Sequence, residues 1–240
     1  ISLAAARDIT GTILADTFQA GGEYTLAGDV QTAENIGQVT ITKDTTIDLN
    51  GHTLTISKDH QCFVVQYGAK LTIMDSQAPS EETVDLGGSN PYGNTASLSE
   101  DGSTLTYYIT ESTANGTGTT ETLKQHTVTL TGAIRCDESS DQAIKVNGGT
   151  LDIQGGALRN SSGKRIVLVE SGTLTMEGGY IVGGGNNNSD KGGGIYVNNG
   201  EVTISGGVIA ANSGTRGGGI CIEGGSFAMS NGVISGNQIQ

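Results

Sequence analysis

The stretch Leu151-Asp-Ile-Gln-Gly-Gly-Ala-Leu158 decides the fold, because it comes back three more times. It returns as Leu174-Thr-Met-Glu-Gly-Gly-Tyr-Ile181, as Val202-Thr-Ile-Ser-Gly-Gly-Val-Ile209 and as Phe227-Ala-Met-Ser-Asn-Gly-Val-Ile234. The spacings are 174−151 = 23, 202−174 = 28 and 227−202 = 25 residues. Five positions before each anchor a second alternating apolar pair ends: Ile144/Val146, Val167/Val169, Ile195/Val197 and Ile220/Ile222. Alternation at period two marks a half-buried strand, and the glycines between the pieces mark turns. Each unit therefore reads as three short strands.

The same unit extends towards the N-terminus. Val128-Thr-Leu130 lies 23 residues before Leu151, Ile47-Asp-Leu49 lies 24 before Leu71, and Tyr24-Thr-Leu26 lies 23 before Ile47. With Leu71-Thr-Ile73 this makes about eight units. One such unit cannot bury its apolar side alone, whereas stacked units bury it continuously. The expected architecture is an all-β, right-handed parallel β-helix, a solenoid of about eight coils. Coils one strand spacing apart, roughly 4.8 Å, give a rod roughly 35–40 Å long.

The residue choices suit that geometry. The third anchor position is aliphatic throughout: Leu49, Ile73, Leu130, Ile153, Met176, Ile204 and Met229. The residues before them, Asp48, Thr72, Thr129, Asp152, Thr175, Thr203 and Ala228, are expected to face water, where Thr fits a pleated surface. The Gly-Gly pairs at 155–156, 178–179 and 206–207 suit corners with positive φ. Asn160, Asn212 and Asn237 fall near the next corner, where stacked asparagines can bond neighbouring backbone.

Composition excludes other classes. Of 240 residues, 39 are glycine and two are proline, without a Gly-X-Y period, so this is not collagen. No apolar run approaches the ~20 residues that a membrane-spanning helix needs. The net charge of −13 argues against nucleic acid and anionic membranes as partners. Cys62, Cys136 and Cys221 are odd in number and follow no metal-ligand spacing, which argues against a disulfide scaffold. The opening Ile1-Ser-Leu-Ala-Ala-Ala-Arg7 suits either the tail of a signal peptide or a short capping helix.

At this point the sequence resembles a family. Ile47-Asp-Leu-Asn-Gly-His-Thr-Leu-Thr-Ile56, followed by Gly68-Ala-Lys-Leu-Thr-Ile-Met-Asp-Ser76, is similar to right-handed β-helix domains of the pectate-lyase-like superfold in secreted bacterial surface proteins. Gly192-Gly-Gly-Ile195 and Gly217-Gly-Gly-Ile220 resemble the Gly-Gly-(Ala/Leu/Val)-Ile motif of chlamydial polymorphic outer-membrane adhesins, with Gly in the third place. Ile209-Ala-Ala-Asn212 and Ile234-Ser-Gly-Asn237 resemble that family's Phe-x-x-Asn motif, with Ile for Phe. The resemblance implies a secreted or cell-surface bacterial protein. Its motifs encode coil geometry rather than an activity.

One segment breaks the period. Leu71 and Val128 are 57 residues apart, so roughly 33 residues are inserted. A single domain is expected over 1–240, with an N-terminal cap at 1–20, an inserted arm at 77–126 and regular coils over 127–240. Within the arm, Leu105-Thr-Tyr-Tyr-Ile109, Asn115-Gly-Thr-Gly118 and Thr120-Glu-Thr-Leu-Lys124 read as a β-hairpin with an Asn-Gly turn. Insertions in solenoids map to one face, often the binding face. The arm is also expected to cover an apolar stripe, and the outward column Val65, Leu168, Tyr196 and Cys221, interrupted by Lys145, is the candidate.

Tyr92, Tyr107, Tyr108 and Tyr196 are the candidate ligand-binding residues, since their rings stack on sugars or proteins and their hydroxyls bond. Asp137, Glu138 and Asp141, beside Arg135, offer oxygens for calcium, although an acidic turn has the same composition. His52, His60 and His126 have no nucleophile partner at a recognisable spacing. Asp48 and Asp152 share an outward column, several coils apart, without forming a catalytic pair. The expected function is a non-enzymatic, adhesin-like module binding a host or matrix glycan or protein, with no cofactor. The alternative is a polysaccharide lyase or glycoside hydrolase acting on acidic polysaccharide. An ice-binding face is disfavoured, because Lys70, Asp152, Glu201 and Ala228 interrupt the Thr-x-Thr pairs. The array closes on Gln240 without a polar cap, which predicts a fragment of a longer protein or an end-to-end contact at the C-terminal coil.

Overall fold

The computed structural model describes residues 5–34, 36–56, 63–88, 95–116, 118–136, 142–185 and 191–240. Among them there are strands and turns but no helix. A large parallel sheet winds into a β-solenoid of about eight turns. Three faces repeat in each full coil.

On the first face, Tyr24, Ile47, Ile73, Ile153, Met176, Ile204 and Met229 stand in one inward column. Beside it run Thr45, Leu71, Leu151, Leu174, Val202 and Phe227. The second face stacks Val39, Phe63, Ile144, Val167, Ile195 and Ile220. The third stacks Val30, Leu54, Ile134, Leu158, Ile181, Ile209 and Ile234. Most of these side chains are wholly buried and pack into one continuous core. Each buried Leu or Ile contributes roughly 1.5–3 kcal/mol.

Two readings of the period are corrected. Val128-Thr-Leu130 is not a coil anchor, because Leu71 pairs directly with Leu151. Arg7–Ile13 is a strand paired with Gly22–Thr32, so the first coil begins within the stretch expected to be a cap. The two corrections cancel in the coil number. The register between the early coils is also shifted by two, Ile47 standing over Ile73 rather than over Leu71. A shift of two leaves every side chain on its own face of the sheet.

Corners explain the glycines. The φ of Gly179 is +78°, and a Cβ there would lie 2.7 Å from the carbonyl oxygen of Gly156 in the coil below. The asparagine corner is polar and built. The Asn212 amide donates to Ile181 O (2.9 Å) and Asn237 Oδ1 (2.9 Å), while its own Oδ1 accepts from Gly184 N (2.9 Å). Asn237 repeats the pattern onto Ile209 O.

The arm is a four-stranded antiparallel sheet in the order Ser80–Gly87, Gly118–Thr129, Thr104–Asn115, Ala96–Leu98. Its central hairpin pairs Thr104 with Thr129 at the base and Asn115 with Gly118 at the tip. It therefore runs past the expected boundary at 126. The arm leaves the rod at a first-to-third-face corner. In an ordinary coil three residues, Gln154-Gly-Gly156, join Ile153 to Ala157. In the arm-bearing coil the matching strand ends are Ile73 and Ala133.

Asp75 closes that corner. Its Oδ1 accepts from Gly51 N (2.8 Å) and Gln77 N (3.2 Å), and its Oδ2 accepts from Thr131 Oγ1 (2.8 Å) and Gly132 N (2.7 Å). The departing and returning chains are thus held by one carboxylate. At the C-terminal coil the inward residues Ile222, Phe227, Met229 and Ile234 are exposed, whereas their partners one coil below, Val197, Val202, Ile204 and Ile209, are buried.

Candidate functional site

The arm lies on the outside of the third face, not the second. Leu105, Tyr107, Val128 and Leu130 of the arm pack on Ala133, Ala157, Val182, Val208 and Ala210 of the rod. The column expected to be covered stands on the second face, and its first member is Val64 rather than Val65. Val64 pairs with Lys145, then Leu168, Tyr196 and Cys221 follow outward, while Val65 is buried opposite Val146.

The structure gathers no common site from the three proposed tyrosines among the described residues, Tyr107, Tyr108 and Tyr196. Tyr92 lies outside the described residues, as do Asp137, Glu138 and Asp141, and also His60 and Cys62. Tyr107 is 3% exposed, which removes it as a ligand platform. Parity predicts this, because Leu105, Tyr107 and Ile109 share a strand face with Tyr108 on the other. Tyr108 is half-buried, and its carbonyl accepts from Ser235 Oγ (2.9 Å), tying the arm to the last coil. Tyr196 is half-buried on the second face. Cys136 is buried and Cys221 half-buried, neither in a disulfide.

The seam between arm and rod holds a compact polar group. Tyr107 stacks on the His126 ring at 4.9 Å with an interplanar angle of 9°. His126 Nδ1 is 2.6 Å from Glu81 Oε1, and the Tyr107 hydroxyl donates to the same oxygen at 3.5 Å. Burial, with the Glu81 charge in support, drives the Tyr107 phenol well above its ordinary range and pushes Tyr180 up to about 12. Both phenols stay protonated at neutral pH. The His126 and Glu81 pair has no sequence signal, because it depends on the pairing of Gly118–Thr129 with Ser80–Gly87.

A groove runs along the rod beside the arm. Two adjoining hollows of about 190 and 360 Å³ share Leu98 and Gly183. Ser99, Arg135 and Asn160 line the first, and Ser97, Asn212 and Gln238 line the second. Arg159 Nη1 fixes the arm's edge by donating to the carbonyls of Asp101 and Gly102. The Asp101 carboxyl is held down to about 2, first by the Ser99 hydroxyl and then by the Ser103 amide and hydroxyl.

On the second face a different group surrounds Tyr196. The Arg165 guanidinium lies 4.8 Å from the ring centroid and the Lys191 ammonium 5.9 Å from it. The Tyr196 hydroxyl donates to Glu223 Oε2 at 2.6 Å, a bond that pushes the phenol up to about 12. Glu223 also meets Lys191 at 2.5 Å and Arg216 at 3.9 Å, and the Lys191 bond is the main cause holding its carboxyl below the usual range. Tyr67, passed over in sequence, is 88% exposed at a turn where the alternation stops.

The rod's carboxylates serve the coil. Asp48 and Asp152 do not share a column, since Asp48 pairs with Met74 and Asp152 with Thr72. Asp48 accepts from the amides of Asn50 and Ser76. Burial raises the Asp152 carboxyl, but hydrogen bonds from Lys70, Thr175 and Gln154 outweigh it and hold the group below its ordinary value. Among the described residues no three His, Cys, Asp or Glu side chains gather as a metal site. Compared with known proteins, the chain matches no family model, no curated protein and no solved structure.

Proposed function

We propose that the chain is a non-enzymatic, adhesin-like module of a secreted or surface-exposed bacterial protein, and that it holds a host or matrix glycan. The observation that carries this reading is the groove between the arm and the third face. It is shallow, and the Ser97 and Ser99 hydroxyls, the Gln238 amide, the Arg135 guanidinium and the Glu100 and Asp101 carboxylates line it, the kinds of group that hydrogen-bond a sugar chain. The resemblance of the coil motifs to bacterial surface β-helices supports the same reading. So does the use of Asp48, Asp75 and Asp152 as ties within the coil.

Immobilised linear polysaccharides and matrix proteins test the proposal against the intact chain and Ser97→Trp, which fills the larger hollow from an exposed position. The expected result is glycan binding that Ser97→Trp abolishes. Equal binding by both, or binding to matrix proteins alone, overturns it. Release of unsaturated or reducing ends from an acidic polysaccharide would replace it with the lyase or hydrolase reading.

A further inference from the structure

We propose that Arg165, Lys191 and Arg216 form a cation ladder along the rod that takes an anionic polysaccharide at a site separate from the groove. The three residues belong to successive coils. They precede Val167, Ile195 and Ile220, which stack on one another, and the backbones of Lys191 and Arg216 pair directly. Coil spacing sets the step from Lys191 to Arg216 at roughly 4.8 Å, and Arg165 stands one coil below Lys191 and two residues further along the coil.

The grouping runs against the overall charge. The chain has 12 Lys and Arg against 25 Asp and Glu, yet three of the twelve converge on the Tyr196 and Glu223 pair. Each side chain has a separate task. Tyr196 stays neutral because its hydroxyl donates to Glu223, so its ring face attracts and orients the Arg165 guanidinium. Arg216 is 72% exposed and only 3.9 Å from Glu223, the loosest contact of the group. An exposed ion pair of that kind is worth about 0–1 kcal/mol, so an incoming anion displaces it easily.

The spread of the cations selects the partner. A single small anion reaches Lys191 and Arg216 together, as Glu223 Oε1 itself does, whereas a linear polyanion presents charges repeatedly along the axis and engages Arg165 as well. Sulfate and carboxylate groups on sugars share this chemistry, and the probes below distinguish them.

The intact chain is titrated at low salt with heparin fragments, polygalacturonate, neutral dextran and vesicles of anionic phospholipid. The expected result is binding to one or both polyanions that weakens as salt rises, with none to dextran or vesicles. The double variant Lys191→Ala, Arg216→Ala loses roughly tenfold in affinity with little change in thermal midpoint. Glu223→Gln removes the internal competitor and tightens binding. Ser97→Trp leaves it unchanged, which separates this site from the groove. Absence of polyanion binding, full binding by the double variant, or vesicle binding as tight as polyanion binding overturns the proposal.

Discussion

Asp75 and Gly132 are 57 residues apart in the chain, yet the carboxylate of one accepts a 2.7 Å hydrogen bond from the amide of the other. Two amides besides, and the Thr131 hydroxyl, meet the same carboxylate. Asp75→Ala is therefore expected to cost roughly 2–3 kcal/mol, since several donors lose a charged acceptor together. Asp75→Asn should recover part of it. Urea denaturation of the three proteins measures both.

The corner also predicts that the arm is dispensable for the rod. Deleting 76–131 and joining Asp75 to Gly132 leaves Met74-Asp75-Gly132 between Ile73 and Ala133, the same three-residue length as Gln154-Gly-Gly156. The shortened chain is expected to keep its β-sheet circular-dichroism spectrum. It should bind a hydrophobic dye more strongly, because Val182, Val208 and Ala210 lose their cover. Loss of the sheet signal would show instead that the arm is needed to wind the coils.

Asn212 tests the polar corner. Asn212→Ala strands the Ile181 carbonyl and the Gly184 amide in a buried site, at an expected cost of roughly 2–4 kcal/mol. Asn212→Asp is no remedy, since a carboxylate cannot donate to Ile181 O. Thermal unfolding of both variants should fall well below the parent.

The seam is expected to weaken in alkali. The folded value for Tyr180, about 12, lies above the ordinary 10.0, so the folded state keeps a proton that the unfolded chain gives up. Stability from this group is complete below pH 10 and is lost as pH rises towards about 12. Tyr180→Phe should flatten that decline and leave neutral stability nearly unchanged. Urea midpoints across this range check it. An equally steep decline in the variant would place the titration elsewhere.

The coil was legible because alternation and glycine spacing are local, and stacking simply repeats them. Leu151, Leu174, Val202 and Phe227 do stand above one another. Val128-Thr-Leu130 misled because a strand of the arm obeys the same alternation as a strand of the rod. The stripe beneath the arm was not legible. Ala133, Ala157, Val182 and Ala210 look unremarkable singly and become a stripe only once coils are aligned. The same holds for the candidate sites. Tyr196 stands out in the sequence, but Arg165 and Glu223 reach it only across coils, Arg216 joins through Glu223, and Lys191 folds back on it within its own coil. Asp75 gave no signal, because its partners lie at both ends of the insertion.

A tethered arm carries a mechanical consequence. Both of its ends enter the rod at one corner, so a pull on the arm falls on that corner once the ties from Ser235 and Arg159 have parted. The coils are joined by long ladders of parallel strands, while the arm rests mainly on an apolar patch. Under tension the arm peels first, and Asp75 takes the strain before the coils part. The rod would then act as an anchor whose grip yields by lifting a flap and re-forms when the flap settles back.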